Sequence, residues 1–299
     1  MSRIVVVGDV MLDVVARLSG PVAVGSDSEA SVSFGGGGSA ANVAAWLGFA
    51  GASPVLVARV GDDVRGVSAG AELRSAGVDV RLAFDGEHPT GTCVVLVGPG
   101  GERSMVPDPG ANAFLAPEDL PEDVFAAGGH LHVTGYSLVR PGPRPAALAA
   151  FALAAAAGMS SSVDPSSAAL LGPEFLDLLE GVGLVLPNAE EATALTGLAD
   201  PAEAARALAA RFPEVVVKLG AEGALWTDGS NEERVPAVAV AASAARSGPL
   251  DTTGAGDAFA AGLLAARLRG ASPAEALHAG CGLAARAVVT PGARPPAPA

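Results

Sequence analysis

The stretch Asp251-Thr252-Thr253-Gly254-Ala255-Gly256-Asp257-Ala258-Phe259 combines carboxylates with a backbone that has almost no side-chain cover. Gly254 and Gly256 flank Ala255, so the N–H groups of all three lie open. The apolar run that follows, to Leu268, reads as a helix. Unpaired N–H groups and a helix dipole aimed the same way make a ready anion site. A carboxylate at the rim of such a site would repel a phosphate that is merely bound. It makes sense beside a phosphoryl group under attack by a hydroxyl, because Asp257 can accept the proton that the hydroxyl loses. The chemistry that fits is phosphoryl transfer to an alcohol.

Other chemistry-bearing residues cluster at a few points. Gly35-Gly36-Gly37-Gly38 precedes Ser39 and Asn42, so backbone can approach a ligand there. Asn42 offers both donor and acceptor, which suits sugar hydroxyls; a flexible loop before a helix is the alternative for the glycines. Asp9 and Asp13 follow the first strand at its carboxyl end, where open α/β sheets bind ligands. A carboxylate there can take two hydroxyls of a polyol, or serve as a turn or helix cap. Asn188 and Glu191 stand at i and i+3 of a helix start and face one way; they read as a cap or as a ligand pair. Lys218 is the one lysine of the chain, so any lysine contact to a phosphate comes from it. It either reaches a phosphate or snorkels from a strand end.

The elements that must carry these residues follow from hydropathy periodicity. Residues 3–7 read as a buried parallel strand ending at Gly8, and 14–34 as short antiparallel strands punctuated by Gly20-Pro21 and Gly25-Ser26. Helices are expected at 39–49 and 66–76, a strand at 54–60 between them, and a second β-rich patch over 78–107. Short strands at 131–133, 161–163, 184–186 and 215–217 then alternate with helices at 146–157, 174–180, 189–196 and 201–211. This alternation implies a mostly parallel sheet covered on both faces. The tail, 294–299, reads as frayed.

The bulk properties narrow the function. The 299 residues can bury a substantial core, and a hydrophobic share of 50% excludes general disorder. A formal charge of −14 excludes nucleic acid and anionic membrane as natural partners. Cys93 and Cys281 lack metal-ligand spacing, so no zinc site is expected. The start Met-Ser-Arg enters a strand directly, and the longest apolar stretch, 146–159, is shorter than a membrane span. A soluble cytoplasmic protein is expected.

DTTGAGDAF at 251–259 and GGSAAN at 37–42 together resemble the two signatures of the PfkB (ribokinase-like) family of sugar and nucleoside kinases. The resemblance spans nearly the whole chain. It implies a ribokinase-like three-layer α/β/α domain over 1–299, with a mostly parallel central sheet and a small β-sheet lid drawn from about 14–34 and 78–107. It implies an ATP- and Mg²⁺-dependent kinase with a small sugar as acceptor and a homodimer formed through the lid. By this resemblance Asp257 is the catalytic base, and Gly254, Ala255 and Gly256 form the anion hole. Asp13, Gly37, Gly38 and Asn42, with Asp257, hold the sugar. Asn188 and Glu191 match the family's NxxE motif, acting on ATP phosphates and, through water, on Mg²⁺. Lys218, Gly220 and Gly223 match the nucleotide loop, Gly256 would also touch the nucleotide, and Cys281 lines the adenine pocket. Asp251, the Thr253 carbonyl and the carbonyls of Ala287, Thr290 and Gly292 match a potassium loop, although Pro296 stands where ribokinases have a serine.

The acceptor stays open at this point: the resemblance leaves fructokinase, 2-keto-3-deoxygluconate kinase, another sugar kinase and a nucleoside kinase, with a strict ribokinase weakened. Met11 stands where ribokinases put a polar sugar ligand, Ser39 replaces the lysine of their GGKGAN motif, and no glutamate accompanies Thr134-Gly135-Tyr136. Arg103 and Asp108 lie on or beside the lid, where Arg103 either meets an acidic or phosphorylated substrate or forms a salt bridge; Asn112 reads as turn structure. The scarcity of aromatics favours a monosaccharide over a nucleoside. A dinucleotide oxidoreductase lacks its GxGxxG here, and a non-catalytic sugar or nucleotide sensor would be expected to lose the base, the anion hole or NxxE.

Overall fold

The computed structural model describes residues 3–240 and 252–296. Its first strand, β1 (Ile4–Val7), is buried on both faces, as its unbroken β-branched run requires. The chain then leaves the main sheet for β2 (Met11–Leu18) and β3 (Ala30–Gly37) and returns through α1 (Ser39–Phe49), β4 (Pro54–Gly61), α2 (Val64–Ser75) and β5 (Asp79–Asp85). Strands β6 (Gly91–Val97) and β7 (Arg103–Asp108) leave it again. The remainder runs β8 (His130–Thr134), α3 (Tyr136–Val139), α4 (Arg144–Ala156), β9 (Ser160–Asp164), β10 (Leu184–Val185), α5 (Ala189–Thr196), α6 (Pro201–Ala209), β11 (Glu214–Lys218), β12 (Ala224–Thr227), β13 (Glu232–Val235), α7 (Ala255–Leu268) and α8 (Pro273–Val288).

The main sheet has the order β13-β12-β11-β10-β9-β8-β1-β4-β5. It is parallel from β11 to β5 and antiparallel where β12 and β13 extend it. Side chains alternate between two cores. Ile4 and Val6 point into the layer that contains Trp46 of α1 and Leu263 and Leu264 of α7, whereas Val5 and Val7 join Ala147 of α4 and Leu208 of α6. The central layer is therefore covered on both sides, the three-layer arrangement expected from the alternating pattern.

The second sheet, β3-β2-β6-β7, stands outside these layers as a lid. Residues 79–85 were expected in it but pair in parallel with β4, Val55 opposite Asp79 and Gly61 opposite Asp85. Their mixed burial is that of a sheet edge, with Val80 in the core and Phe84 exposed, and it mimics an antiparallel lid strand. The glycine run is no loop either: Gly35, Gly36 and Gly37 are strand residues opposite Asp13, Leu12 and Met11.

Helix ends follow local chemistry. Asn188 and Glu191 form a reciprocal capping box on α5, which stops at Gly197 in the left-handed region, and Asp200 caps α6 ahead of Pro201. Ser272 and Glu275 do the same for α8, a helix the periodicity reading passed over. Residues 173–179 form 3₁₀ turns in place of the expected α-helix. The tail is not frayed at its start. Arg294 is buried, donates to the Gly37 carbonyl at 2.8 Å and pairs with Glu72, and Trp46 donates to the Ala293 carbonyl at 3.0 Å.

Candidate active site

The carboxyl ends of the parallel strands and the inner side of the lid enclose a cavity of about 470 Å³. Asp257 lies in it, in the first turn of α7. Its Oδ1 accepts from Ser39 Oγ at 2.8 Å and its Oδ2 from Asn42 Nδ2 at 2.9 Å, so both oxygens are oriented by the first turn of α1. Burial pushes its pKa up to about 7, against the opposing pull of the Asn42 and Ser39 hydrogen bonds. Asn42 Oδ1 is buried and has no hydrogen-bond partner.

The helix start that holds Asp257 depends on Gly254, which caps α7 at φ 73°. A methyl group there would also lie 2.4 Å from the Ala293 carbonyl. Gly254 and Gly256 line the cavity, and a Cβ on Gly256 would meet only Lys218 Nζ, at 3.6 Å. Ala255 turns away: its N–H donates to the Thr252 carbonyl at 3.2 Å. Across the cavity, α1 begins at Gly38 with φ 91°, and the carboxylate of Asp9 accepts from Ser39 and Ala40 N–H, each at 3.2 Å. Asp9 is thus the cap of α1 supplied from the end of β1, and burial raises its pKa. Asp13 is buried against the Gly37 backbone and lines the cavity.

Asn188, Glu191 and Lys218 line the other side. The capping box occupies Asn188 Oδ1 and Glu191 Oε2 at 2.8 Å each. Burial drives the Glu191 pKa upward while Lys218 opposes it. Lys218 does not snorkel. Its Nζ lies 2.5 Å from Asp164 Oδ2, and although burial pulls its pKa down, Asp164 and Glu191 together carry it above the ordinary lysine value. Arg103 of β7 donates to Thr253 Oγ1 at 2.5 Å, so the lid touches the loop ahead of α7.

Several expected residues are not brought to this cavity. Gly220 and Gly223 sit in the β11–β12 turn, and Cys281 is packed in the core from α8. At the end of α8, the Ala287 carbonyl accepts from Thr290 N–H, Thr290 Oγ1 donates to the Arg286 carbonyl, and Gly292 follows with φ 87°. Asp251 lies outside the described residues. Asn112 holds a turn as expected, donating to the Val10 and Pro109 carbonyls and accepting from Val10 N–H.

Cavity residues that the motifs did not reveal are Asp164, Ser166, Tyr136 and Arg140. Asp164 ends a parallel strand, which is the signal that could have found it. Ser166 is the sole non-glycine residue with positive φ, 75°, among the described residues, and its N–H donates to Asp164 Oδ1 at 3.2 Å. Its strain is held by the turn that aims Asp164 at Lys218.

A lidded α/β sheet with a buried carboxylate at a glycine-flanked helix start defines a small-molecule phosphotransferase. The pfkB family carbohydrate kinase pattern matches residues 1–299, and the chain belongs to that family. Among its relatives, an ATP-dependent ribose-1-phosphate kinase of Halopiger xanaduensis is 34% identical over 93% of this chain and 89% of its own length. A fructokinase of Klebsiella pneumoniae is 36% identical, covering 77% and 76%. The crystal structure of an adenosine kinase from Sinorhizobium meliloti superimposes with a TM-score of 0.87 at 28% identity, over 98% of this chain and 96% of that one. The chain is an ATP-dependent carbohydrate kinase with an alcohol group as acceptor. Among the described residues, no helix is long and apolar enough to cross a membrane.

Proposed function

We propose that the chain transfers the γ-phosphoryl group of ATP to a primary hydroxyl of a monosaccharide, with Asp257 as the base. The observation that carries this reading is the Asp257 carboxylate, buried, oriented by Ser39 and Asn42, and with a pKa raised to about 7. A base poised near the operating pH is the efficient choice for drawing off a hydroxyl proton. The N–H groups of Gly254 and Gly256, which line the cavity, serve as the anion hole, without Ala255, whose N–H is taken by the Thr252 carbonyl. Asp13, Asn42, Gly37 and Gly38 hold the acceptor. The unpartnered Asn42 Oδ1 supports this, since a sugar hydroxyl would supply the missing donor.

On the donor side, Lys218 lies next to Gly256 and takes phosphate charge, while Asn188 works from α5 and Gly220, Gly223 and Cys281 border the base of the nucleotide. No group of three or more acidic, His or Cys residues among the described ones forms a metal cage. The Glu191 carboxylate in the cavity fits magnesium, which keeps its waters and binds one or two carboxylates together with phosphates. Glu191 is the residue that would hold it through water, and the ion would neutralise phosphate charge. For potassium, Thr253, Ala287, Thr290 and Gly292, with Asp251, remain the proposed loop; a carbonyl oxygen has two lone pairs, so Ala287 retains one.

A homodimer through the lid is supported by apolar side chains left in water there, Phe34 at 72% and Val106 at 61% exposure. An ATP donor supports a cytoplasmic enzyme, and the chain charge of −14 supports a small-molecule acceptor over nucleic acid or anionic membrane. The test is ADP release with ATP and Mg²⁺ across a panel of sugars and nucleosides, with and without potassium. Turnover of a monosaccharide is expected; nucleosides as the sole acceptors would overturn the reading.

A further inference from the structure

Three cationic side chains line the cavity among the described residues, and they differ in how they are held. Lys218 is paired with Asp164, and Arg103 donates to Thr253. Arg140 is half-buried and makes no hydrogen bond or ion pair among the described residues. The same cavity contains Asp9, Asp13, Asp164, Glu191 and Asp257, yet Arg140 bonds to none of them. A half-exposed guanidinium with no protein partner keeps its donors available, and its planar fork suits a planar or tetrahedral oxyanion.

The fold assigns Arg140 to the acceptor side. It follows α3 at the end of β8, and β8 neighbours β1, whose following loop carries Asp9 and leads to Asp13. Lys218 ends β11, separated from β8 by β9 and β10. The loop after Arg140 packs at the root of the lid: a Cβ on Gly142 would lie 2.0 Å from the Ala113 carbonyl, next to the Asn112 turn. The carboxylates of the cavity and a chain charge of −14 would repel an anionic acceptor unless a cation were placed to receive it.

We propose that the acceptor sugar carries an anionic group, a phosphate or a carboxylate, which Arg140 holds while Asp13 and Asn42 take its hydroxyls. This rests on the sugar-kinase reading above. The transfer itself is unchanged. The acceptor's primary hydroxyl oxygen bonds to the γ-phosphorus, the bond from that phosphorus to the β–γ bridging oxygen breaks, the hydroxyl proton passes to Asp257, and ADP leaves.

The experiment measures initial rates with ATP and Mg²⁺ on matched sets of acceptors: neutral sugars, the same sugars carrying a phosphate away from the reacting hydroxyl, and their sugar acids. These rates are taken for the wild type, Arg140→Met and Arg140→Lys. An anionic acceptor is expected to exceed its neutral parent in kcat/KM, and the phosphate and acid arms distinguish the two sources of charge. In Arg140→Met the KM for that acceptor should rise roughly 10- to 100-fold, the scale of a charge-assisted hydrogen bond, with kcat and the KM for ATP close to wild type. Arg140→Lys should recover part of the loss. Because Arg140 has no partner among the described residues, the melting temperature should stay at the wild-type value, which separates this effect from misfolding. Neutral sugars used as well as their anionic counterparts, or an acceptor KM unmoved in Arg140→Met, would overturn the proposal and leave the sugar kinase intact. No sugar of any kind turned over would overturn both.

Discussion

As the proposed base, Asp257 sits between two requirements that one carboxylate has to meet together. It must be ionised to accept a proton, and it must be buried to lie against the phosphoryl group with water excluded. Burial raises its pKa to about 7, so the ionised form is lost as pH falls through that value. The wild-type kcat/KM should therefore climb with unit slope to about pH 7 and level off above it. The stability consequence has the opposite sense. The folded state binds this proton more tightly than the unfolded chain, whose value is near 3.8, so the contribution is present below 3.8 and lost as pH rises through about 7. Thermal melts should show Asp257→Asn gaining on the wild type as the buffer is moved from about pH 5 to about pH 8. A difference that does not grow with pH would mean that the carboxylate is not buried as a charge. That Asp257 and Asn42 belong to one site was legible because short motifs carry them. Asp164, Tyr136 and Arg140 were not, because each stands at a strand end or loop that only the folded sheet brings to the cavity.

The elements that position these residues were legible where local chemistry marks their ends. Helix α1 runs Ser39–Phe49 and α5 Ala189–Thr196, both as the periodicity indicated. Helix α8 was not read from periodicity, although Ser272-Pro273 and Glu275 spell a capping box that marks its start. β5 was misassigned for a physical reason: an edge strand of a parallel sheet is half-exposed, and alternation alone cannot say which sheet it joins. The lid is the element with most apolar surface in water. Phe34 and Val32 on β3 share a face with Val94 of β6 and Val106 of β7, and together they leave a face too apolar for a solitary sheet. Light scattering should give a dimer for the wild type and a monomer for Phe34→Ser. A wild type that is monomeric at micromolar concentration contradicts the lid interface.

Across the whole molecule, the parallel sheet gathers strand ends from distant parts of the chain, and the chain's last described turn helps to hold them. Arg294 was read as frayed because Pro/Ala-rich tails usually are, yet it is buried under the glycine strand and donates to the Gly37 carbonyl. A buried arginine contacting backbone leaves no periodic trace in a sequence. The result is a cavity in which the proposed acceptor residues come from β2, β3 and α1, the proposed donor residues from α5 and β11, and the proposed base from α7. The account stands or falls on that base. The most direct measurement is the kcat of Asp257→Asn on the preferred sugar at about pH 8, with ATP and sugar binding checked separately. A loss of about 10²- to 10⁴-fold with both ligands still bound is the predicted result. Activity within a few-fold of the wild type would contradict it.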